Sequence, residues 1–226
     1  MAPNPDSPFK PRKRPVQARS EATVSTLFEA SIQVLLAVGY RKLTTTRVAE
    51  RAGVSVGTLY QYFPNRQALI TSVIERYLEE ISLSVERDCQ ALYGRPLDEI
   101  ATGLVDAFVD AKWKRIDVSK AMHEPLVDVG GAKLVRAAGR RGAGIVANVL
   151  TSCRDAVFRD VHPLALFVVV ACSSLLQAAI ADDPDSAERK MLRVHMRALV
   201  FGYLREMQQP DRSAMRPRGL RKRTTV

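Results

Sequence analysis

Cysteine, histidine and tryptophan are scarce in this 226-residue sequence, and the shortage narrows the range of functions. The cysteines Cys89, Cys153 and Cys172 are far apart and form no Cys-x-x-Cys pair. This spacing argues against a disulfide framework and a zinc site, and it suits a reducing cytoplasm. The three histidines are equally scattered, and neither a His-Glu-x-x-His nor a Gly-x-Ser-x-Gly pattern occurs. We therefore expect no enzyme, no catalytic residues, no metal and no cofactor.

Long apolar runs are also scarce. The first fifteen residues contain five prolines and no apolar core segment, so we expect no signal peptide. The longest apolar run, Leu164 to Ala181, is interrupted by Ser173, Ser174 and Gln177. A membrane span needs roughly 20 predominantly apolar residues, and no second such run accompanies this one. We interpret the run as a helix buried on most sides of a cytoplasmic protein, without a membrane partner.

Acidic residues are few at the two ends of the chain. Residues 1–20 carry a net charge of +4 and residues 211–226 carry +5, which leaves +1 of the total of +10 for everything between. Basic tails of this kind are often merely solvated. Beside a DNA-binding domain, however, they favour contact with phosphates.

The rest of the sequence is patterned for helices, since apolar residues recur at three- and four-residue steps and no strand-like alternation occurs. Glycine at position 39 and proline at position 64 end two of the segments. We predict an all-α protein with helices at residues 20–38, Thr44–Arg51, Ser55–Tyr62, Arg66–Cys89, Leu97–Lys114, Val118–Val127, Ala132–Cys153, Pro163–Ala181 and Asp185–Met207.

The second and third predicted helices form a helix-turn-helix. They are joined by a turn at Gly53, and each is too short to be stable alone, because isolated helices below about 12–15 residues are marginal in water. They must therefore pack on the first and fourth helices, which leaves one face of the third helix free. A helix of that diameter fits the major groove of B-DNA.

Residues 24–81 resemble the TetR-type transcriptional regulators. The resemblance rests on the segments VGY at 38–40, TTTRVAERAGVS at 44–55 and GTLYQYF at 57–63, followed by a basic residue, Arg66. It implies an N-terminal three-helix helix-turn-helix DNA-binding domain and a C-terminal helical bundle for ligand binding and dimerisation. The implied function is a homodimeric repressor of a palindromic operator.

On this basis we divide the chain into four parts. Residues 1–18 are a basic disordered arm, and residues 210–226 are a basic disordered tail. Residues 19–66 are the DNA-binding domain, and residues 67–209 are the ligand-binding and dimerisation domain. The predicted helix at residues 66–89 is shared between these two domains.

The resemblance also indicates which residues contact the operator. In Thr58 and Tyr60 we expect hydroxyls that bind phosphates, in Gln61 a side chain that reads a base edge, and in Arg66 a partner for the DNA backbone. Val56 offers a methyl contact to thymine where many relatives have a polar or basic residue. Arg12 and Arg14, within the segment RKRP, are similar to arms that enter the minor groove. The complete set is Thr46, Val56, Gly57, Thr58, Tyr60, Gln61, Tyr62, Arg66, Arg12 and Arg14.

In the C-terminal half, the last two helices are the expected dimer pair, in a four-helix interface between two subunits. The alternative is that both serve only the core of one subunit. A small, largely apolar effector of unknown identity is expected to release the operator. Its pocket is assigned to Phe108, Trp113, Met122, His123, Phe158 and Phe167, each of which alternatively belongs to the plain core. The alternative function is a ligand-independent architectural protein that coats DNA.

Overall fold

The fold is entirely helical in the part of the chain that the computed structural model describes, residues 18–182 and 184–209. The whole predicted tail and all of the predicted arm except residue 18, with Arg12 and Arg14, lie outside these ranges. Short 3₁₀ turns occur at Tyr40–Lys42 and Gln90–Leu92. The α-helices are α1 (Ala18–Val38), α2 (Thr45–Ala52), α3 (Val56–Tyr62), α4 (Arg66–Cys89), α5 (Leu97–Trp113), α6 (Ile116–Ala121), α7 (His123–Asp128), α8 (Ala132–Thr151), α9 (Val161–Ala181) and α10 (Ser186–Glu206).

The predicted all-α fold is confirmed, and most helices begin and end within two residues of the expected positions. The exception is the segment predicted as one helix at residues 118–127, which is split into α6 and α7. Pro125 explains the split, because a proline cannot donate a backbone hydrogen bond and clashes with the carbonyl four residues earlier. In the first turn of a separate helix, as in α7, a proline is tolerated.

Local side-chain bonds set the starts of the short helices. Thr44, Ser55 and Asn65 each accept a hydrogen bond from the backbone N–H three residues later, which satisfies a group that the helix itself leaves unpaired. Gly53 ends α2 with a φ of 67°, a left-handed conformation that favours glycine. The helix-turn-helix is therefore defined at its boundaries by the sequence.

Residues 18–78 form the head, and the remaining described residues form the body. The apolar core of the head unites α1, α2, α3 and the first half of α4, with Leu27, Leu59 and Leu69 fully buried. Val118 and Met122, from α6 and the residue that follows it, are buried in this same core. The core of the head thus crosses the predicted boundary at residue 66, because the body supplies two side chains that close it.

The core of the body is formed by the end of α4 with α5, α8, α9 and α10. Ile100, Leu104, Leu176 and Leu204 are fully buried in it. The two cores are contiguous through α4, since Ile81 packs against both. One long helix therefore connects the head with the body.

α9 departs from the expectation of burial on most sides. Seven of its 21 residues are buried, in a single stripe, whereas Leu166, Phe167 and Val170 are exposed. By length and composition alone, this helix and residues 20–38 of α1 are apolar enough to cross a membrane. In the fold, each buries one stripe in a core, and α9 keeps an apolar face outside.

Candidate DNA-binding surface

The exposed face of α3 is the centre of the candidate surface. Leu59 and Phe63 anchor the helix in the core of the head, where they are 0% and 1% exposed. Gly57, Tyr60 and Gln61 lie on the opposite side and are exposed. Gly57 and Gln61 are four residues apart, so they occupy one face of the helix. The helix therefore presents a small, polar face to solvent.

Hydroxyl groups beside this face are held by internal bonds. The Thr58 Oγ1 atom lies 2.8 Å from Ser55 Oγ, and the Tyr60 hydroxyl lies 3.1 Å from Thr45 Oγ1. A hydroxyl has one hydrogen and two acceptor lone pairs, so each keeps capacity for a further partner. These bonds orient the two hydroxyls that the sequence predicts to contact phosphates.

The other predicted contact residues of the helix-turn-helix surround this centre. Thr46 is exposed in the first turn of α2. Val56 and Tyr62 are half-buried and pack against the core of the head, so each offers only an edge to a partner. Among the described residues, and apart from Gly57's chain neighbours and its own helix backbone, only Ser55 Oγ, at 3.6 Å, lies within 4 Å of the position that a Cβ on Gly57 would occupy. The space above Gly57 is consequently open for a close approach.

Arg66, which is predicted to contact the DNA backbone, has its guanidinium bound inside the head. Its Nε donates to the carbonyl of Leu43 at 2.8 Å, and its Nη2 donates to the carbonyl of Tyr40 at 2.7 Å. Its Nη1 lies 3.2 Å from the Tyr40 hydroxyl, and its Cζ lies 4.2 Å from the centre of the Tyr40 ring. Arg66 thus fixes the 3₁₀ turn that precedes α2, and its contact with DNA stays a prediction.

Tyr40 extends this network into the body. Its hydroxyl donates to the Asp128 carboxylate of α7 at 2.5 Å. Burial and then the bond to Asp128 raise the pKa of Tyr40, while Arg66 opposes this shift. Arg41, next in the chain, pairs with Glu124 of α7 at 3.0 Å. Two polar contacts therefore attach α7 to the segment that leads into the helix-turn-helix.

Lys42 is a candidate phosphate contact that the sequence reasoning missed. Arg47, Arg51 and Arg76 of the head all make hydrogen bonds within it. Lys42 is exposed, and its ammonium has no hydrogen-bond or ion-pair partner among the described residues. Its position just before Thr44, the N-cap of α2, was the available signal, because helix N-termini attract phosphate.

The residues predicted to line an effector pocket do not all lie together. Phe108 is buried in the core of the body, and Trp113 and Phe158 pack against that core. Met122 instead lies in the core of the head. Bulky apolar side chains on amphipathic helices enter whichever core their stripe faces, so residue type alone did not separate the two cores.

The remaining two predicted pocket residues are exposed. His123 has its Nδ1 atom 3.3 Å from the side-chain nitrogen of Gln177. Phe167 packs its ring against that of Tyr203, with 4.2 Å between the ring centres. Neither borders the open groove of about 420 Å³ on the body surface. That groove is lined by Ala91, Leu92, Arg95, Asp98, Glu99, Thr102 and Gly103.

Comparison with known proteins gives relatives that match part of the chain and solved structures that match most of it. A repressor, KstR of Mycolicibacterium smegmatis, is 38% identical over 61 residues, which is 27% of this chain and 30% of that protein. An uncharacterised HTH-type transcriptional regulator of Mycobacterium tuberculosis is 37% identical over 76 residues, 32% of this chain and 39% of that protein. The chain thus spans about a third of the length of these curated relatives.

Among solved structures, a transcriptional regulator from Cytophaga hutchinsonii superposes with a TM-score of 0.65 at 17% identity, over 83% of this chain and 100% of that one. A TetR-family regulator from Streptomyces coelicolor superposes with a TM-score of 0.54 at 24% identity, over 80% of this chain and 99% of that one. At these identities the likeness shows the fold.

Two family models match consecutive parts of the chain. The model described as bacterial regulatory proteins of the tetR family matches residues 27–73, the helix-turn-helix and its supports. The model described as the tetracyclin repressor-like C-terminal domain matches residues 96–204 in the body. The chain belongs to the TetR family of bacterial regulatory proteins.

Proposed function

We propose that this protein is a homodimeric, sequence-specific DNA-binding repressor of the bacterial cytoplasm. The observation that carries the proposal is the free face of α3, with Gly57, Tyr60 and Gln61 exposed and Leu59 and Phe63 buried beneath them. A short helix held from below presents its side chains to the major groove, where base edges are distinguishable. Gln61 reads a base edge, with the bare backbone of Gly57 beside it.

The contacts around α3 position the head on the duplex. Thr46, Thr58 and Tyr60 offer hydroxyls to the phosphates on either side of the groove, and Lys42 adds a positive charge before α2. Contacts to phosphates orient a protein without reading the sequence. Residues 21–80 carry six basic and six acidic side chains, so their net charge is zero. The affinity for DNA therefore depends on these individually placed groups and on the arm with Arg12 and Arg14.

The dimer forms through an apolar face shared by α9 and α10. On α9, Leu166 and Val170 are exposed, and on α10, Met191, Val194 and Leu199 are exposed. Isolated exposed apolar side chains are ordinary, whereas an extended apolar face marks an interaction site. A two-fold axis at this face pairs two helices from each subunit and fixes the spacing of the two heads.

An effector releases the operator through the contacts between the body and the head. Val118 and Met122 close the core of the head, and Asp128 holds Tyr40, so a shift of α6 and α7 moves the segment that leads into α2. DNA fixes the distance between two α3 helices, and a shift of that distance breaks contacts in one half-site. A coupling of about 1–3 kcal/mol weakens operator binding about 5- to 150-fold.

Selection of genomic fragments by the purified full chain tests this function. The expected result is a shared palindrome bound at least about 1,000-fold more tightly than random DNA of the same length, within the range typical of specific regulators. Fragments without a shared sequence, bound as tightly as random DNA, would overturn the proposal and favour the architectural alternative.

A further inference from the structure

Trp113 leaves a buried hydrogen-bond donor without an acceptor. It is the one tryptophan of the chain, it ends α5, and its ring packs against the core of the body. Its indole Nε1 is buried and has no hydrogen-bond partner in the described part of the chain. A buried donor without a partner costs free energy, and folded proteins rarely leave one unpaired. The position is therefore suited to an acceptor from outside the chain.

Arg189 of α10 brings unused positive charge to the same indole. Its Cζ atom lies 5.8 Å from the centre of the Trp113 ring, and its side chain is half-buried. Its Nε donates to the carbonyl of Pro184 at 2.9 Å, but its two terminal nitrogens have no hydrogen-bond partner among the described residues. Those nitrogens are free to bind an anion.

Two carboxylates of α5, Asp106 and Asp110, are occupied by other arginines. Arg193, whose Cζ lies 5.9 Å from the Trp113 ring, pairs with Asp106 at 3.1 Å and with Asp110 at 2.5 Å. Arg197 also pairs with Asp106, at 2.6 Å. Two aspartates and two arginines thus balance each other, and none of these carboxylates pairs with Arg189.

Lys112 adds a second cation at the end of α5. Its Nζ lies 5.5 Å from the centre of the Tyr77 ring, and no ion pair to it occurs among the described residues. Burial lowers the pKa of Lys112, and no carboxylate counteracts this shift. Within the described ranges, Lys112 is thus a cation without an ion-pair partner on the Tyr77 side of α5, while Trp113 and Arg189 supply an indole N–H and a guanidinium on the α10 side.

We propose that the effector is an apolar carboxylic acid whose carboxylate binds between α5 and α10, where Trp113 Nε1 and the Arg189 guanidinium donate to it. This inference rests on the proposed function, since it names the chemical class of the molecule that releases the operator. A guanidinium matches the planar, two-oxygen geometry of a carboxylate, and the indole N–H supplies a third donor. Entry of the ligand requires Arg189 to swing away from the ring.

Tryptophan emission measures binding at this site directly, because Trp113 is the sole tryptophan of the chain. The test titrates the full chain, below micelle concentrations, with an aliphatic, an aromatic and a polycyclic carboxylic acid, each matched by its primary alcohol. We expect saturable changes in tryptophan emission with at least one acid, and at least 10-fold weaker binding of its alcohol. Equal binding of acid and alcohol, or no saturable change with any acid, overturns the proposal.

A phosphate monoester with the same apolar body as the best acid distinguishes the two anions. Weaker binding of the phosphate supports the carboxylate site, and tighter binding overturns the assignment to a carboxylate. Operator binding is measured on the same preparations. Failure of the acids with operator binding intact removes this inference alone, whereas absence of operator binding removes the proposed function.

Two variants separate a binding role from a structural one. Arg189→Gln should weaken the best acid at least 10-fold and leave the alcohol unchanged. Trp113→Phe keeps a ring but loses the N–H, so calorimetry should show the same selective loss. Arg140→Gln, an exposed arginine of α8, is the matched control and should bind the acid like the parent. Equal binding of the acid by Arg189→Gln and the control overturns the role of Arg189.

Discussion

The face of α3 and the face shared by α9 and α10 are two exposed surfaces of opposite character. On α3 the exposed side chains are few and polar or small, and the hydroxyls beside them are tied by internal hydrogen bonds. The face shared by α9 and α10 exposes several bulky apolar side chains, with Val170 53% and Val194 60% exposed.

The difference indicates two kinds of partner. A polar face with oriented hydroxyls suits a hydrated, charged partner that binds and leaves, as DNA does. An apolar face gains most when it is permanently removed from water, as in an obligate dimer. In the proposed function, reading and assembly therefore belong to different helices of the same chain.

The largest expected effect comes from breaking the apolar face. The double variant Val170→Asp, Val194→Asp introduces charges that cannot be desolvated, so light scattering at micromolar concentration should show a monomer. Operator affinity should fall by about 100-fold or more, because the second head no longer adds to binding. Leu83→Asp, at an exposed leucine of α4, is the control and should remain dimeric. A dimer that survives the double variant would place the interface elsewhere.

Deleting residues 1–16 tests whether the basic arm binds DNA together with the polar face of α3. Each subunit loses Arg12, Lys13 and Arg14. If all six charges of a dimer neutralise phosphates, the slope of log affinity against log salt should fall by about 5. The melting temperature should stay constant, because the segment is rich in proline and has little apolar surface. An unchanged slope means that the arm does not touch DNA.

Arg66→Ala should act on stability, in contrast to a surface arginine. The change removes three hydrogen bonds and leaves the carbonyls of Tyr40 and Leu43 without this donor. A loss of about 2–4 kcal/mol of unfolding free energy is expected in urea titrations, since bonds to charged groups contribute about 1.5–3 kcal/mol each and are not additive. Arg47→Ala, which removes one bond at an exposed site, is the control. Equal stability of the two variants would contradict the structural role of Arg66.

Gln61→Ala and Lys42→Ala should separate reading from positioning within the head. Loss of Gln61 should change the ranking of operator variants by about 1–3 kcal/mol at one base pair. Loss of Lys42 should leave the ranking intact and lower the salt slope by about one unit per subunit. Binding of both variants to a panel of operators at several salt concentrations distinguishes base reading from phosphate contact. Identical profiles of the two variants would show that these roles are wrongly assigned.

The smallest expected effect concerns Tyr77, which lies at the contact between the head and the body. Burial raises its pKa from 10.0 to about 12, and its hydroxyl bonds to Ser119 of α6. Because the folded state keeps the proton longer than the unfolded state, the stability from this group is complete below about pH 10 and declines as pH rises towards 12.

Tyr77→Phe removes this titration, so the stability gap between parent and variant should shrink by about 1 kcal/mol per pH unit above pH 10. Urea titrations at several alkaline pH values measure this gap. Tyr93→Phe, at an exposed tyrosine, should follow the parent. Parallel profiles of parent and Tyr77→Phe would show that Tyr77 titrates normally.

Part of the candidate site was predictable from sequence because its signals are local. Leu59 and Phe63 are four residues apart, which is the spacing of side chains on one buried face of a helix. Gly53 marks the end of α2, and Ser55 marks the start of α3. The position of Arg66 near a helix start suggested a phosphate contact, but its partner Tyr40 is 26 residues away. No local pattern indicates a bond of that kind.

The location of an effector pocket was even harder to predict from local sequence patterns. Phe108 and Met122 look alike as candidates in the sequence, yet they lie in different cores. Trp113 was named for its bulk, whereas its unpaired N–H emerges only when α10 packs beside α5. An absent hydrogen bond cannot be read from residue type, because it depends on every neighbour in space.

By itself the sequence determined the all-helical fold, the limits of most helices and the helix-turn-helix, since periodicity, caps and glycine turns act within a few residues. Tertiary structure alone decided that α6 closes the core of the head, that Tyr40 reaches Asp128 across 88 residues, and that one face of α9 stays exposed. The physical reason is that such contacts depend on how amphipathic helices share a limited buried volume. That sharing is a property of the whole packed chain.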